Sequence, residues 1–122
     1  INIFDLVDAL GNRNGKRAVL LLQQSLDEGM SGFYLFTMFV RQFRILIQVR
    51  ECLDQRMRPD AIAKEVGLHP FVAKKSAKQA QSFSMAQLER IYAHLLQIDV
   101  DSKTGQTDIV TALNLFVASL AR

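Results

Sequence analysis

The residues best suited to metal binding or nucleophilic chemistry are His69, His94 and Cys52, and their spacing serves neither purpose. The two histidines stand far apart. No second cysteine pairs with Cys52, and no His-Glu-x-x-His spacing occurs, so a zinc-type ligand set cannot be assembled from neighbours in sequence. His69 precedes Pro70 at a predicted helix start, which suits a capping or surface role better than ligation. His94 lies on an amphipathic helix and is expected at the surface. Cys52 falls among apolar residues with no basic group placed to lower its pKa, so it is expected to pack rather than react. Asp99 and Asp101 are two residues apart, which on a helix turns them about 200° from each other. They face solvent rather than working as a carboxylate pair. Gly11 and Gly15 bracket a turn but lack the Lys-Ser/Thr ending of a phosphate-binding loop. With none of the roles of an active site filled, no catalytic residue, metal or cofactor is expected in this chain.

What remains is electrostatic. The formal net charge is +3. Between Arg41 and Lys78 nine Lys/Arg face four Asp/Glu, while the flanking segments each carry three basic and four acidic residues. A basic middle third favours phosphates or an acidic partner, although such a stretch also occurs as an ordinary solvated helix face. The residues singled out for a partner are Arg41, Arg44, Gln48, Lys74, Lys75 and Lys78. The last three follow a helix-Gly-helix corner, Ile62 to Lys75, with Ala63 four residues before Gly67. That is the opening of a DNA-binding helix-turn-helix unit, and a stand-alone DNA-binding domain is the alternative reading. Against it, the apolar anchor six residues after the glycine is only Ala73. The lysines also sit mid-helix, away from the N-terminal end that reads bases. A Gly corner arises for geometric reasons alone, because glycine takes positive φ at little cost.

These groups must be positioned by helices, since no stretch alternates with period two. Asn2 caps a first helix that Gly11 ends. Asn14-Gly15 leads into a helix over 16–28, closed by Gly29. Ser31-Gly32 opens a long third helix to about Gln55. Pro59 suits the first position of a short helix to Val66, and another starts at Pro70. Ser84 and Gln87 form a capping box for a sixth helix to about Lys103. Thr107 or Asp108 caps the last. The expectation is one all-α domain, 1–122, of about seven helices. At 122 residues the chain can bury a core without disulfides or metal. It begins with Ile1, which suggests a piece of a longer protein. A lone cysteine fits a reducing cytoplasm, no signal peptide opens the chain, and the apolar run 33–40 is too short to span a bilayer.

The third helix carries the clearest pattern. Thr37, Arg41, Arg44, Gln48, Glu51 and Gln55 fall in one strip roughly 80° wide. Most of the remaining circumference is apolar and must be covered by other helices or another subunit. Gln42 lies within that apolar arc and requires a hydrogen-bond partner. The predicted core comprises Phe36, Phe39, Phe43, Leu46 and Ile47, with Ile91, Leu95, Phe116 and Leu120.

Three stretches, 3–11, 41–49 and 67–75, in this order on an all-helical background, resemble the C-terminal domain of the bacterial DNA polymerase III clamp-loader delta subunit. The loop 29–32 is richer in glycine than that pattern, and 99–101 more acidic. The resemblance implies a compact orthogonal bundle that acts as a collar, an oligomerisation domain following two AAA+-like domains. It implies gamma/tau- and delta-prime-type subunits as partners in the DNA polymerase III holoenzyme, within the cytoplasmic replisome. The sliding clamp would be bound only through the N-terminal domain, and DNA only indirectly. The delta subunit of that family has no ATP hydrolysis of its own.

Overall fold

The computed structural model describes residues 2–121, and among them there are seven α-helices and no strand. They are α1 (Ile3–Gly11), α2 (Gly15–Asp27), α3 (Gly32–Asp54), α4 (Pro59–Val66), α5 (Pro70–Ala80), α6 (Met85–Lys103) and α7 (Ile109–Leu120). The capping chemistry is as the sequence predicts. Asn2 accepts from the Phe4 N–H, Ser31 from Tyr34, and Asp108 from Thr111. Ser84 and Gln87 exchange both bonds of a capping box, at 3.1 and 2.9 Å. His69 caps α5 through Nδ1, which accepts from the Phe71 N–H at 3.1 Å.

Helix α3 is the axis, in contact with α1, α4, α5, α6 and α7. Its apolar arc is covered from within the chain: Leu35, Phe39, Phe43, Leu46 and Val49 have no exposed surface. Phe43 meets Phe83 and Phe116 edge-on, with ring centroids 6.2 and 6.1 Å apart, and Phe39 meets Phe116 at 6.0 Å. Leu6, Leu22, Ile62, Leu88, Leu95 and Leu113 complete a continuous core. No buried side-chain nitrogen or oxygen among the described residues lacks a partner. This is the state expected of a domain whose core closes on itself. Cys52 is buried, as expected. Three predicted core residues are only half-buried. Ile47 lies at the edge of the polar strip, and Ile91 and Leu120 line an open cleft between α1, α6 and α7.

The end of α1 also differs from expectation. Gly11 is the last helical residue and not the left-handed one. The reversal falls two residues on, at Arg13, whose φ is 58°. Arg13 donates its N–H to Leu10 O and Asn14 donates to Ala9 O, closing the helix in the manner of a Schellman cap. Gly11 serves a packing need instead. A Cβ at this position would lie 2.7 Å from Gln42 Nε2 and closer still to Gln79. Gly67 does take the left-handed conformation expected at the α4–α5 corner, with φ 79°.

Candidate subunit interface

The six polar residues of the α3 strip, Thr37, Arg41, Arg44, Gln48, Glu51 and Gln55, are all exposed, so the helical phase read from the sequence is correct. Arg41 and Arg44 form no ion pair or hydrogen bond among the described residues. They rim a cleft of about 260 Å³ between α3 and α6, whose apolar wall includes Phe36, Val40 and Leu96. Leu96 is 51% exposed and Val100, one turn on, is 54% exposed. Phe33, one turn before Thr37, adds a ring that is 64% exposed. Further along the strip the character reverses. Gln48, Glu51 and Gln55 share a polar cleft with Glu65 of α4. Arg44 and Glu51 are seven residues apart, so about 10 Å of helix separates the basic end from the acidic end. Burial pushes the Cys52 thiol up from its ordinary pKa, and Glu65 and Glu51 push it further.

The three lysines of α5 separate. Lys74 and Lys78 are one turn apart, exposed, and unpaired among the described residues. Lys75 turns inward, half-buried, with Nζ 3.1 Å from Asp8 Oδ2. It lies 5.6 Å above the Phe71 ring. Asp8 also accepts from Gln79 Nε2 at 3.1 Å, and Gln79 Oε1 accepts from Gln42 Nε2 at 2.7 Å. This chain of bonds is the partner that Gln42 required. It joins α1, α3 and α5, so Lys75 is held within the fold rather than offered to a neighbour.

Sequence reasoning passed over Asp8, Gln79 and Arg50. Arg50 stands on the covered side of α3, bonding Asp54 at 2.8 Å and the Ala80 carbonyl at 3.3 Å. A polar group on an otherwise apolar arc was the available signal, and for Arg50 it went unread. His94 is exposed, but its ring centre lies 5.4 Å from that of Phe116, so it shields the core at one edge. No group of three or more His, Cys, Asp or Glu side chains among the described residues could hold a metal ion. Among them, too, no helix is long and apolar enough to cross a membrane.

An exposed apolar wall beside arginines that are unpaired among the described residues is a surface of the kind found at interaction sites. The family model for the DNA polymerase III delta subunit, C-terminal domain, matches residues 1–120. The chain belongs to this family. It is 28% identical over 121 residues to the DNA polymerase III subunit delta of Bacillus subtilis (strain 168), covering 99% of this chain and 35% of that protein. The solved Bacillus subtilis DNA clamp loader delta protein superposes with a TM-score of 0.87 at 28% identity, over 98% of this chain and 35% of that one. The chain thus spans about a third of the length of the relatives it matches. The all-helical fold expected from the sequence, and the resemblance stated for it, are borne out.

Proposed function

We propose that this domain is the assembly, or collar, module of a clamp-loader delta subunit, and that it has no chemistry of its own. It holds delta-type, gamma/tau-type and delta-prime-type subunits in one complex, so that the sliding clamp can be loaded onto DNA in the cytoplasm. Contact with the clamp belongs to AAA+-like domains preceding residue 1, and DNA is engaged indirectly. The family membership supports this reading. The observation that carries it is the exposed strip of α3, where Arg41 and Arg44, unpaired among the described residues, stand beside the apolar wall of Phe36, Val40 and Leu96. A neighbouring helix with an acidic and apolar face would satisfy both. The reversal of charge towards Glu51 and Glu65 would fix which way round it docks.

The test is reconstitution of the loader with the full-length delta subunit carrying Arg41→Glu together with Arg44→Glu. Assembly, followed by gel filtration, is expected to weaken while the thermal melt of the domain stays in place. Unchanged assembly would return the strip to ordinary solvated surface.

A further inference from the structure

We infer that the cleft where α1, α6 and α7 meet is a docking site for an extended acidic segment of a partner polypeptide. The segment places one apolar side chain in the cleft and a carboxylate against Arg13 and Arg90. The inference goes beyond the collar reading and does not depend on the α3 strip.

The cleft measures about 180 Å³, the scale of one large side chain, and its apolar floor is Leu10, Phe83, Ile91 and Leu120. Ile91 and Leu120 are left half-exposed by the fold, although their pattern in the sequence marks them for the core. The rim carries Arg13 and Arg90, and no carboxylate lines the cleft. Arg90 is exposed and makes no hydrogen bond or ion pair among the described residues.

Arg13 is the more informative of the two. It occupies the left-handed position that ends α1, where glycine would sit without strain. Its guanidinium donates to the Ser82 carbonyl at 2.8 Å and lies 4.9 Å over the Phe83 ring. The side chain is thereby fixed at the rim. One nitrogen of the fork is engaged, and the remaining donors are free to meet a carboxylate. One anchored cation, Arg13, and a second, Arg90, above an apolar floor select an acid beside a hydrophobe.

Nucleic acid fits this cleft less well. Its bases bind proteins by stacking on exposed rings. The one ring here, Phe83, is 5% exposed with Arg13 already over its face. Two cations also make a short track for a phosphate backbone.

The experiment is a titration of the 122-residue chain, followed by backbone amide NMR shifts. The probe is an acetylated and amidated peptide, Gly-Glu-Asp-Leu-Glu-Gly, compared with its Gln/Asn counterpart and with a single-stranded thymidine oligonucleotide. Saturable shifts at Leu10, Arg90 and Leu120 are expected with the acidic peptide alone. Arg90→Gln is expected to weaken binding about tenfold or more, the usual effect of losing a charge-assisted hydrogen bond. Arg13→Gly is expected to do the same; it relieves the backbone at φ 58° but removes the bond to the Ser82 carbonyl, so its thermal melt is measured beside its affinity, and weakened binding with an unchanged melt is the expected result. Absence of shifts overturns the proposal. So do shifts centred on Arg41 and Arg44, equal binding of the neutral peptide, indifference to both substitutions, or occupation of the cleft by the oligonucleotide.

Discussion

Replacing Gln79 with leucine tests whether the polar chain between α1, α3 and α5 specifies how these helices meet. Gln79 is 2% exposed, accepts from Gln42 at 2.7 Å and donates to Asp8 at 3.1 Å. Leucine removes both bonds and leaves the buried Gln42 amide without its acceptor. A buried polar group deprived of its partner costs about 1–3 kcal/mol, and a hydrogen bond to a charged group is worth about 1.5–3 kcal/mol. Asp8 is half-exposed and keeps Lys75, which puts the second contribution at the low end of its range. The expected loss is therefore about 2–4 kcal/mol. Gln42→Leu alone strands Gln79 in the same way and should cost about 1–3 kcal/mol. The double substitution makes an apolar pair at that contact, so it should cost clearly less than the sum of the two. Urea denaturation of the four proteins measures this directly, since the midpoint multiplied by the slope gives each stability. Two singles that each cost under about 0.5 kcal/mol, or a strictly additive double, would refute the reasoning.

Three further outcomes are expected. Phe43→Ala empties the space between Phe83 and Phe116 and should destabilise by about 3–5 kcal/mol in the same assay; a loss below about 1 kcal/mol would mean that this face is not core. Because burial and then Glu65 and Glu51 hold the Cys52 thiol above its ordinary pKa, stability should be fully present below about pH 8.5 and fall as pH rises towards the folded value. Cys52→Ala should remove that slope, and an unaltered slope would assign it to other groups. Arg41→Glu with Arg44→Glu should shift stability by less than about 0.5 kcal/mol, as for exposed side chains without partners, and a collapsed melt would contradict their exposure.

The helices were legible because their boundaries are written in local chemistry. A capping side chain at Asn2, Ser31, Ser84 or Asp108 satisfies free backbone donors within one turn, and no distant residue has to be known. The phase of α3 was legible for a similar reason, since its strip is a run of polar residues at helical spacing. What escaped depends on pairs remote in sequence. Nothing near Gln42 announces that Gln79, 37 residues away, accepts its bond, or that Asp8, 71 residues from Gln79, continues the chain. Gly11 does mark the end of α1, but not by the left-handed turn expected of it, because glycine at a helix end has two physical uses. Only the arrival of two glutamine side chains from α3 and α5 shows that close approach, and not positive φ, is the one in force. Lys75 illustrates the same limit: a lysine on a basic stretch reads as solvent-facing until Asp8 appears beside it.

The division of polar groups within α3 carries the functional argument further than its apolar content does. Gln42 and Arg50 lie on the covered side, and each reaches α5, through Gln79 and the Ala80 carbonyl. Hydrogen bonds of this kind are directional, so they fix the height of α5 along α3 where apolar contacts alone would permit sliding. The groups left over, Arg41 and Arg44, have no such engagement among the described residues. Helix α3 is therefore saturated on its inner side and unsatisfied on its outer side. An energetic demand that the fold does not meet must be met by water or by a neighbour. The exposed Leu96 and the apolar edges of Phe36 and Val40 beside these arginines gain nothing from water, and burial of apolar surface is the term that drives association. The arginines by themselves would be content as solvated surface; the apolar wall next to them is what makes a protein neighbour the better occupant.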